Sequence, residues 1–477
     1  MNIVTLIDTF VSTLLQAEQG FIEHPDHTGR FEKAVVEASH KAAADFMAMV
    51  FEGTDELIRG SRPRKDRYNI LRKRKRTLIT TAGDVTYERT VFQDRETGKT
   101  SILLDEMMHL PKHERFSVNA EAKVLNEAEV HSYQHAADSL KIGGQTVSKT
   151  AVMEKIHAIT EDIPEEKTPS QKKCCEYIYI EADEDHIHRQ KCGEERGCMI
   201  GKLIYIFEGK EDLCNGRRKL IDPHYYGGLY PGTNENRRLW EDVQKYIEEH
   251  YDTDFLKAVY ICSDGGSWIK AGKEYVDRSV LVADKFHLMK YINSVANLTG
   301  DAVNDTKARF YKYIYTDKLL ATCKMLTRIK TRTGKDNTIE NARTYFINNW
   351  EAIQRTFHDK NVLGCSAEGH VSSVFSERMS SRPMGWSETG SDRMCKLRCY
   401  VRNCGRDKIV DLVEYRRELQ CGCYDATGTE GMIVPKPKKY YSAARRESMR
   451  YAEAMYAPLF GRTVKKTLAI REHLYDI

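Results

Sequence analysis

Two apolar, β-rich runs that each end on an acidic residue constrain the fold of this chain more than any other feature. The first is YIYIEAD, ending on Asp183, and the second, about eighty residues later, is AVYICSD, ending on Asp264. Short runs of this kind predict buried strands, each of which would present a carboxylate at its end. Mg²⁺ prefers hard oxygen ligands and is usually bound by one or two carboxylates together with phosphate. The pair therefore predicts an α/β core with a metal site suited to phosphoryl chemistry.

Other residues near the two aspartates compete for the same roles. A lone Asp after a strand is also a common turn former or helix N-cap. If the first strand continues, alternation places Asp185 on the same face as Asp183. In LVADKFHLMKYI, Asp284 ends a further strand-like run, and His287 follows at the start of a helix. Asp185, Asp284 and His287 therefore stay open as alternates.

A third carboxylate comes from the segment SAEGHVSSVFSERMSSRPMGWS. On a helix that turns by about 100° per residue, Val371 and Phe375 lie within roughly 60° of Glu368. Glu377 points to the opposite side of the same helix. We therefore take Glu368 as the third acid and Glu377 as its alternate.

These segments resemble a known family. The order Asp183, Asp264, Glu368, the segment LVADKFHLMKYI and the signature SAEGHVSSVFSERMSSRPMGW are similar to those of bacterial insertion-sequence transposases of the ISLre type, relatives of the Mutator-like and other DDE transposases. The resemblance extends from the basic N-terminal third to about Tyr400, and SSRPMGW is its most specific part.

The resemblance implies an RNase H-like catalytic core with a helical insertion between the second Asp and the Glu. It implies that Asp183, Asp264 and Glu368 bind two Mg²⁺ or Mn²⁺ ions and that the protein cleaves DNA strands and transfers them. Within this set we assign Asp183 as the ligand that bridges the two ions. In related transposases a Cys or Asp followed by His lies near the active site, which resembles Asp284 and His287 here.

The distribution of charge indicates nucleic-acid contact more clearly than the net charge of +4 does. Residues 59 to 76 contain ten Lys or Arg and one acid. Such runs are often solvated faces, but the last part of this one directly precedes the strand-like TLITTAGDVTYERTVF, so folded structure could present it to phosphates. The candidate contacts in this cluster are Arg72, Lys73, Arg74, Lys75 and Arg76.

A helix-turn-helix is a second candidate DNA-binding element. Residues 116–160 read as helices interrupted by Gly143 and Gly144, and the last helix would place Lys149 and Thr150 at its start, in a major groove. A plain helical hairpin packed against the core fits the same pattern.

The segment that follows Glu368 contains three further candidates for DNA contact. Arg378 and Arg382 could bind phosphate through their planar guanidinium groups, and Trp386 could stack on an unpaired base. A tryptophan is also an ordinary core residue.

The cysteine content and the lengths of the apolar runs indicate the cellular compartment. Thirteen cysteines without a secretory signal predict free thiols in a reducing cytoplasm. No run of 18 or more apolar residues is present, and the N-terminus reads as an amphipathic helix, so we expect no membrane span.

The combined prediction is an RNase H-like α/β core preceded by a helical and small β-containing DNA-binding region. We expect a cytoplasmic DDE transposase that binds the terminal inverted repeats of its own element and target DNA, as a homodimer or larger assembly. An inactive or domesticated DNA-binding protein and a metal-dependent nuclease are the alternatives. The predicted segments are 1–58 (helical), 59–115 (basic run and β module), 116–160 (helix-turn-helix), 174–286 (first part of the core), 287–360 (helical insertion), 361–420 (last part of the core) and 421–477 (basic tail).

Overall fold

The computed structural model describes residues 3–141, 146–159, 169–190, 197–213, 218–382 and 384–421. It forms two compact units, Met1–Lys155 with Ile409–Ile477, and Ile156–Lys408. The turn glycines Gly143 and Gly144 and all but the first residue of the predicted basic tail lie outside the described residues. Within the described ranges, no helix combines the length and the apolar character that crossing a membrane would require. The finer division into seven segments stays a prediction.

The first unit combines helices with one small antiparallel sheet of order β1-β2-β3. Its strands are β1 (Tyr68–Thr80), β2 (Gly83–Asp94) and β3 (Thr100–Ser101). Its helices in the N-terminal part are α1 (Ile3–Glu23), α2 (Thr28–Gly60), α3 (Arg62–Arg67), α4 (Leu103–Met107), α5 (Val118–Val130), α6 (Tyr133–Asp138) and most of α7 (Lys149–His157).

The predicted hairpin is present and is longer than the sequence pattern indicates. Thr80 pairs with Gly83 across a two-residue turn, one position earlier than predicted. β1 begins at Tyr68, so the basic cluster lies inside the strand and does not precede it. Apolar side chains such as Leu78 and Tyr87 pack the other end of the hairpin into the core.

The two outer edges of this hairpin differ. Along β2, the carboxylates of Glu52 and Asp55 on α2 accept hydrogen bonds from the backbone N–H groups of Glu88 (3.0 Å) and Thr90 (2.9 Å). β1 is the edge strand, and its residues 69–75 are all exposed. The cationic part of the hairpin is therefore its uncovered part.

The three helices predicted around residues 116–160 are present as α5, α6 and α7. Ser148 Oγ accepts a hydrogen bond from Ala151 N (3.1 Å), which caps α7. Lys149 and Thr150 are exposed at its start, while Lys155 is bonded to the buried Glu121 and to a neighbouring glutamate. One face of α7 is thus packed, and a DNA-reading role for the other stays a prediction.

The second unit is built on a mixed five-stranded sheet of order β10-β9-β4-β5-β8. Its strands are β4 (Tyr177–His188), β5 (Cys198–Phe207), β6 (Gly209–Asp212), β7 (Arg218–Ile221), β8 (His224–Gly228), β9 (Ala258–Ser263) and β10 (Ser279–Ala283), with β6 and β7 paired as a separate hairpin. β4, β5 and β8 pair antiparallel, whereas β4, β9 and β10 pair parallel.

Ten helices of the described residues surround this sheet. They are α8 (Thr233–His250), α9 (Ser267–Lys270), α10 (Gly272–Tyr275), α11 (Lys285–Ala296), α12 (Val303–Tyr315), α13 (Leu319–Thr333), α14 (Asp336–His358), α15 (Ala367–Val371), α16 (Glu377–Met379) and α17 (Glu388–Cys404). A π-helical stretch, Ser372–Ser376, joins α15 to α16. The next helix, α18 (Ile409–Cys421), belongs to the first unit.

The predicted crossover helix is α8, which connects β8 to the parallel strand β9. Its buried residues Trp240 and Val243 belong to the same core cluster as Ile178 and Ile180 of β4. A crossover of this length is what a pair of parallel strands needs. This packing covers one face of the sheet, and the alternate residues of β4, which include Asp183, lie on the other face.

The opposite face is covered by the C-terminal helices of the unit. A Cβ at Gly227 of β8 would lie 2.6 Å from both Phe375 Cζ and Cys399 Sγ, so only glycine allows this approach. The helical insertion between β10 and α15 is also present, and α11 to α14 share a core that contains Phe310, Leu326 and Phe346.

Candidate active site

The predicted acid pair lies where β4 and β9 run side by side. The two parallel strands pair in register up to Glu181 with Cys262. Two residues further along each strand path are Asp183 and Asp264, and alternate residues of a strand share a face. The carboxylates are close enough for the charge of Asp264 to act on Asp183. The structure therefore brings together the two aspartates that the sequence singled out.

The position of Asp183 within its strand differs from the prediction. β4 does not end at Asp183 but continues to His188, because residues 183–188 pair with residues 198–203 of β5. Asp185 therefore lies on the same face, as alternation predicts. Its Oδ1 accepts a hydrogen bond from Ser380 Oγ (3.0 Å). This contact ties Asp185 to the segment that follows α16.

The surroundings of the Asp183 carboxyl group disfavour its ionised form. Burial raises its pKa to about 6, and the negative charges of Asp264 and Asp284 act in the same direction. A hydrogen bond from Glu184 N to Oδ1 (2.9 Å) and the nearby His287 lower the pKa. These two contacts only partly offset the effect of burial, and a bound cation would stabilise ionised Asp183 further.

Asp264 follows β9 directly and starts a tight turn. Its Oδ1 accepts a hydrogen bond from Gly266 N (2.7 Å). Gly265 has φ of +107°, and a Cβ there would lie 3.2 Å from Asn349 Nδ2 and 3.4 Å from Tyr345 Cε2. Glycine is required by both the backbone conformation and this contact. The insertion helix α14 therefore packs directly against the turn that carries Asp264.

Asp284 and His287 form a hydrogen-bonded pair beside the two aspartates. Asp284 is the N-cap of α11: its Oδ1 accepts from Phe286 N (2.9 Å), and its Oδ2 lies 2.8 Å from His287 Nδ1. This bond raises the pKa of His287, as do the charges of Asp264 and Asp183, while burial opposes them. The sequence left helix capping and a position near the active site as alternative roles for Asp284. In the structure Asp284 both caps α11 and lies near Asp183.

Glu368 and Glu377 are both exposed. Glu368 is the second residue of α15, and Glu377 is the first of α16. The π-helical stretch between them breaks the assumption of about 100° per residue, since a π turn inserts an extra residue into the helix. The predicted opposition of the two side chains therefore has no geometric basis, and the preference for Glu368 rests on the resemblance.

Asp183, Asp264 and Glu368 do not gather three ligand atoms within 4.8 Å of one another. Across the described ranges the side-chain groups that do so lie elsewhere. They are the exposed or half-exposed sets His24, Asp26 and His27, and Glu127, His131 and His135.

A buried polar network that sequence reasoning missed fixes the start of α15. Glu181 is 3% exposed and accepts hydrogen bonds from Ser366 N (2.7 Å), Lys210 Nζ (2.7 Å) and the hydroxyl of Tyr205. Lys210 also donates to Ser366 Oγ (2.9 Å). The only local signal was an acid within an apolar strand, because its partners are far away in sequence. The network connects the strand of Asp183 to the helix of Glu368.

Three of the predicted DNA-contacting residues are buried. Arg76 is 8% exposed and donates to Asp105 Oδ2 (2.7 Å) within the first unit. Arg378 and Trp386 are each 5% exposed, with the guanidinium 4.8 Å from the ring centroid. Trp386 N donates to His188 O (2.9 Å), which places the SSRPMGW signature against the end of β4. These residues stabilise the fold instead of forming a surface.

The other predicted contacts are on the surface. Arg382 is exposed, and so are the cluster residues in β1 that precede Arg76. These exposed side chains are Arg72, Lys73, Arg74 and Lys75.

Comparison with known sequences assigns the family. The sequence model of an uncharacterised protein family, UPF0236, matches residues 28–416. The chain belongs to UPF0236. Its curated relatives include a UPF0236 protein of Caldanaerobacter subterraneus subsp. tengcongensis that is 33% identical over 400 residues, covering 82% of this chain and 81% of the relative. That protein's name joins eleven locus designations.

Another UPF0236 protein from the same organism is 32% identical over 402 residues, covers 82% of this chain and 81% of the relative, and has a name that joins four loci. Among solved structures, the Drosophila P element transposase strand transfer complex aligns with a TM-score of 0.23 and 10% identity, covering 76% of this UPF0236 chain and 92% of that chain. A TM-score this low does not establish a shared fold.

Proposed function

We propose that this UPF0236 protein is a DDE transposase with an RNase H-like core, which cleaves the ends of its own DNA element and joins them to target DNA. The observation that carries the proposal is the pair Asp183 and Asp264, side by side on adjacent parallel strands with Asp284 and His287 next to them.

The sheet supports this assignment. Three antiparallel strands, a crossover helix and then two strands parallel to the first are what the RNase H-like resemblance requires. The first acid lies on the central strand β4, and the second follows the adjacent strand β9. A helical insertion separates them from Glu368, again as the resemblance implies.

The residues present fit divalent cations. Asp183 and Asp264 offer hard oxygen ligands on one face, and the pKa of Asp183 is raised by burial and by the negative charges of Asp264 and Asp284. Asp183, Asp264 and Glu368 would hold Mg²⁺ or Mn²⁺, although Glu368 would have to approach the pair. When bound, two such ions supply Lewis acidity on both sides of a reacting phosphate.

His287 supplies positive charge from the protein itself. Because Asp284 holds Nδ1 and raises the pKa of the ring, a larger fraction of His287 is protonated near neutral pH than of an ordinary histidine. Its Nε2–H can then donate to a phosphate oxygen close to Asp183. We assign His287 to phosphate binding and Asp284 to orienting it.

The genomic multiplicity of the relatives agrees with a mobile element. One relative's name joins eleven loci of a single genome and another joins four. Transposition multiplies the gene that encodes the transposase, so a protein encoded at many loci is an expected product.

Self-association would bring two DNA ends together. The N-terminal helices expose large apolar side chains, among them Leu15, Ile22 and Phe46, and α1 has no buried residue. Exposed apolar patches commonly mark interaction surfaces. This face supports the proposed homodimer.

The decisive test is a strand-transfer reaction. Purified full-length protein would be incubated with Mg²⁺, linear DNA carrying the flanking ends of its element, and a supercoiled target plasmid. We expect cleavage at the ends and joined products on the plasmid. Cleavage without joining would indicate a nuclease, and binding without cleavage would indicate a DNA-binding protein alone.

Ionisation of Asp183 should lower the melting temperature of the metal-free protein. Its native pKa, about 6, lies above the ordinary value, so its contribution to stability is fully present at low pH and is lost as pH rises towards 6. At about pH 8, metal-free Asp183→Asn should therefore melt at a higher temperature than wild type, and the difference should shrink as pH falls from 6 towards 4. Scanning fluorimetry measures both.

At the higher pH, Mg²⁺ should raise the melting temperature of wild type above that of Asp183→Asn. The ion binds native wild type, whereas the variant lacks one of its ligands. Asp254→Asn, which changes an exposed Asp in the same unit, is the matched control. Equal stabilisation of wild type and Asp183→Asn by Mg²⁺ would exclude Asp183 as a ligand.

A further inference from the structure

The helical insertion has a larger net positive charge than the whole chain. Residues 285–358 contain thirteen Lys or Arg and six Asp or Glu, a formal net charge of +7, whereas the complete sequence has +4. The remainder of the protein is therefore net acidic. A surplus concentrated in one folded segment is an electrostatic footprint for a polyanion.

Part of this charge forms a row of basic side chains on α13. This helix contains four basic residues and no acid, and it packs into the insertion core through Met325, Leu326 and Ile329. Beside this packed face Lys324, Arg328 and Arg332 recur at every fourth residue, and all three are exposed.

The three side chains form no ion pair within the described residues, in contrast to Lys330 of the same helix, which bonds to Glu340 Oε1 (2.9 Å). We call Lys324, Arg328 and Arg332 the α13 stripe. A row of unpaired cations repels itself, and a partner that brings negative charge relieves this repulsion.

We propose that the α13 stripe binds the phosphate backbone of duplex DNA, as a second contact surface in addition to the acid pair. This rests on the proposed function. The stripe spans about 12 Å along the helix, since eight residues rise by about 1.5 Å each. Cations spaced by about 6 Å can contact successive phosphates of one strand.

The residues between the cations favour a nucleic acid over a membrane. Thr327 and Thr331 are exposed on the same side, where their hydroxyls can donate to phosphate oxygens. A membrane-binding helix would need large apolar side chains at such positions. Because the three side chains are exposed and lie outside the core shared with α14, they would hold DNA beyond the segment that reaches Asp264.

The test compares salt dependence in two triple variants of the full-length protein. The stripe variant is Lys324→Gln, Arg328→Gln and Arg332→Gln. The control variant is Lys33→Gln, Lys41→Gln and Arg237→Gln, which removes the same charge from exposed residues that pair with an acid four residues further along their own helix (3.8, 3.5 and 2.7 Å). Fluorescence anisotropy with a random-sequence duplex would give log Kd across a KCl series.

We expect the slope of log Kd against log salt to fall by about 2.7 in the stripe variant, at about 0.9 for each phosphate contact, and by much less in the control. An unchanged slope, or an equal fall in both variants, would overturn the stripe as a contact surface. If wild type shows no salt-dependent DNA binding, the proposed function itself fails. If wild type shows salt-dependent binding but the slope of the stripe variant equals that of wild type, the α13 stripe is excluded as a contact surface. That result does not contradict the proposed function.

Discussion

Asp264→Asn should abolish DNA strand cleavage while leaving DNA binding intact. The substitution keeps the size of the side chain and an oxygen that can accept from Gly266 N, but it removes a charge next to Asp183. Losing a metal ligand should cost at least about 4 kcal/mol in the transition state, which corresponds to a fall of about a thousandfold in rate. Nicking of end-labelled DNA in Mg²⁺ measures the rate, and gel shift measures binding.

Two further variants make this result specific. Asp183→Asn combined with Asp264→Asn should be little worse than either alone, because both carboxylates serve the same ions. Asp185→Asn tests the alternate ligand, because Oδ1 accepts from Ser380 Oγ whereas the buried Oδ2 has no hydrogen-bond partner among the described residues. The assignment of Asp183 and Asp264 predicts a milder loss for this variant. Near-normal cleavage by Asp264→Asn, or a collapse confined to Asp185→Asn, would move the metal site along β4.

Glu368→Gln should have an effect of similar size, a loss of about a thousandfold in cleavage with normal binding to element ends. Glu377→Gln is the matched control, because both glutamates are exposed and lie on either side of the same π-helical stretch. Helical phase does not show which of the two glutamates serves the active site, and this comparison of cleavage rates does. Normal cleavage by the 368 variant with loss in the 377 variant would exchange their roles, and normal cleavage by both would remove this segment from the active site.

The β-strands and the first two acids were accessible from sequence because buried strands leave a local signature. Apolar runs such as those before Asp183 and Asp264 report burial directly, and the parallel register then brings the two acids together. The position of Asp183 inside β4 was not accessible, since DEDHIH has no apolar pattern, and it is held by pairing with β5.

Features that depend on distant partners also escaped prediction. Arg76 read as a surface cation within a basic run, but Asp105 draws it into the core. Glu181 gave no indication of Lys210 or Ser366, and the π-helical stretch that shifts the phase after Glu368 has no sequence signal that we recognise. Local patterns therefore located the acid pair, while tertiary contacts decide how the third carboxylate is presented.

The exposed edge of β1 has a consequence for solubility. An uncovered edge strand offers backbone groups to another copy of the protein, and positively charged side chains are one way in which proteins prevent such strand addition. Residues 72–75, all Lys or Arg, occupy this edge, whereas the outer edge of β2 is already satisfied by Glu52 and Asp55. Neutralising these cations would remove a barrier to aggregation as well as the predicted phosphate contact. Loss of soluble protein in such a variant would then report edge-to-edge association between molecules and would say nothing about DNA.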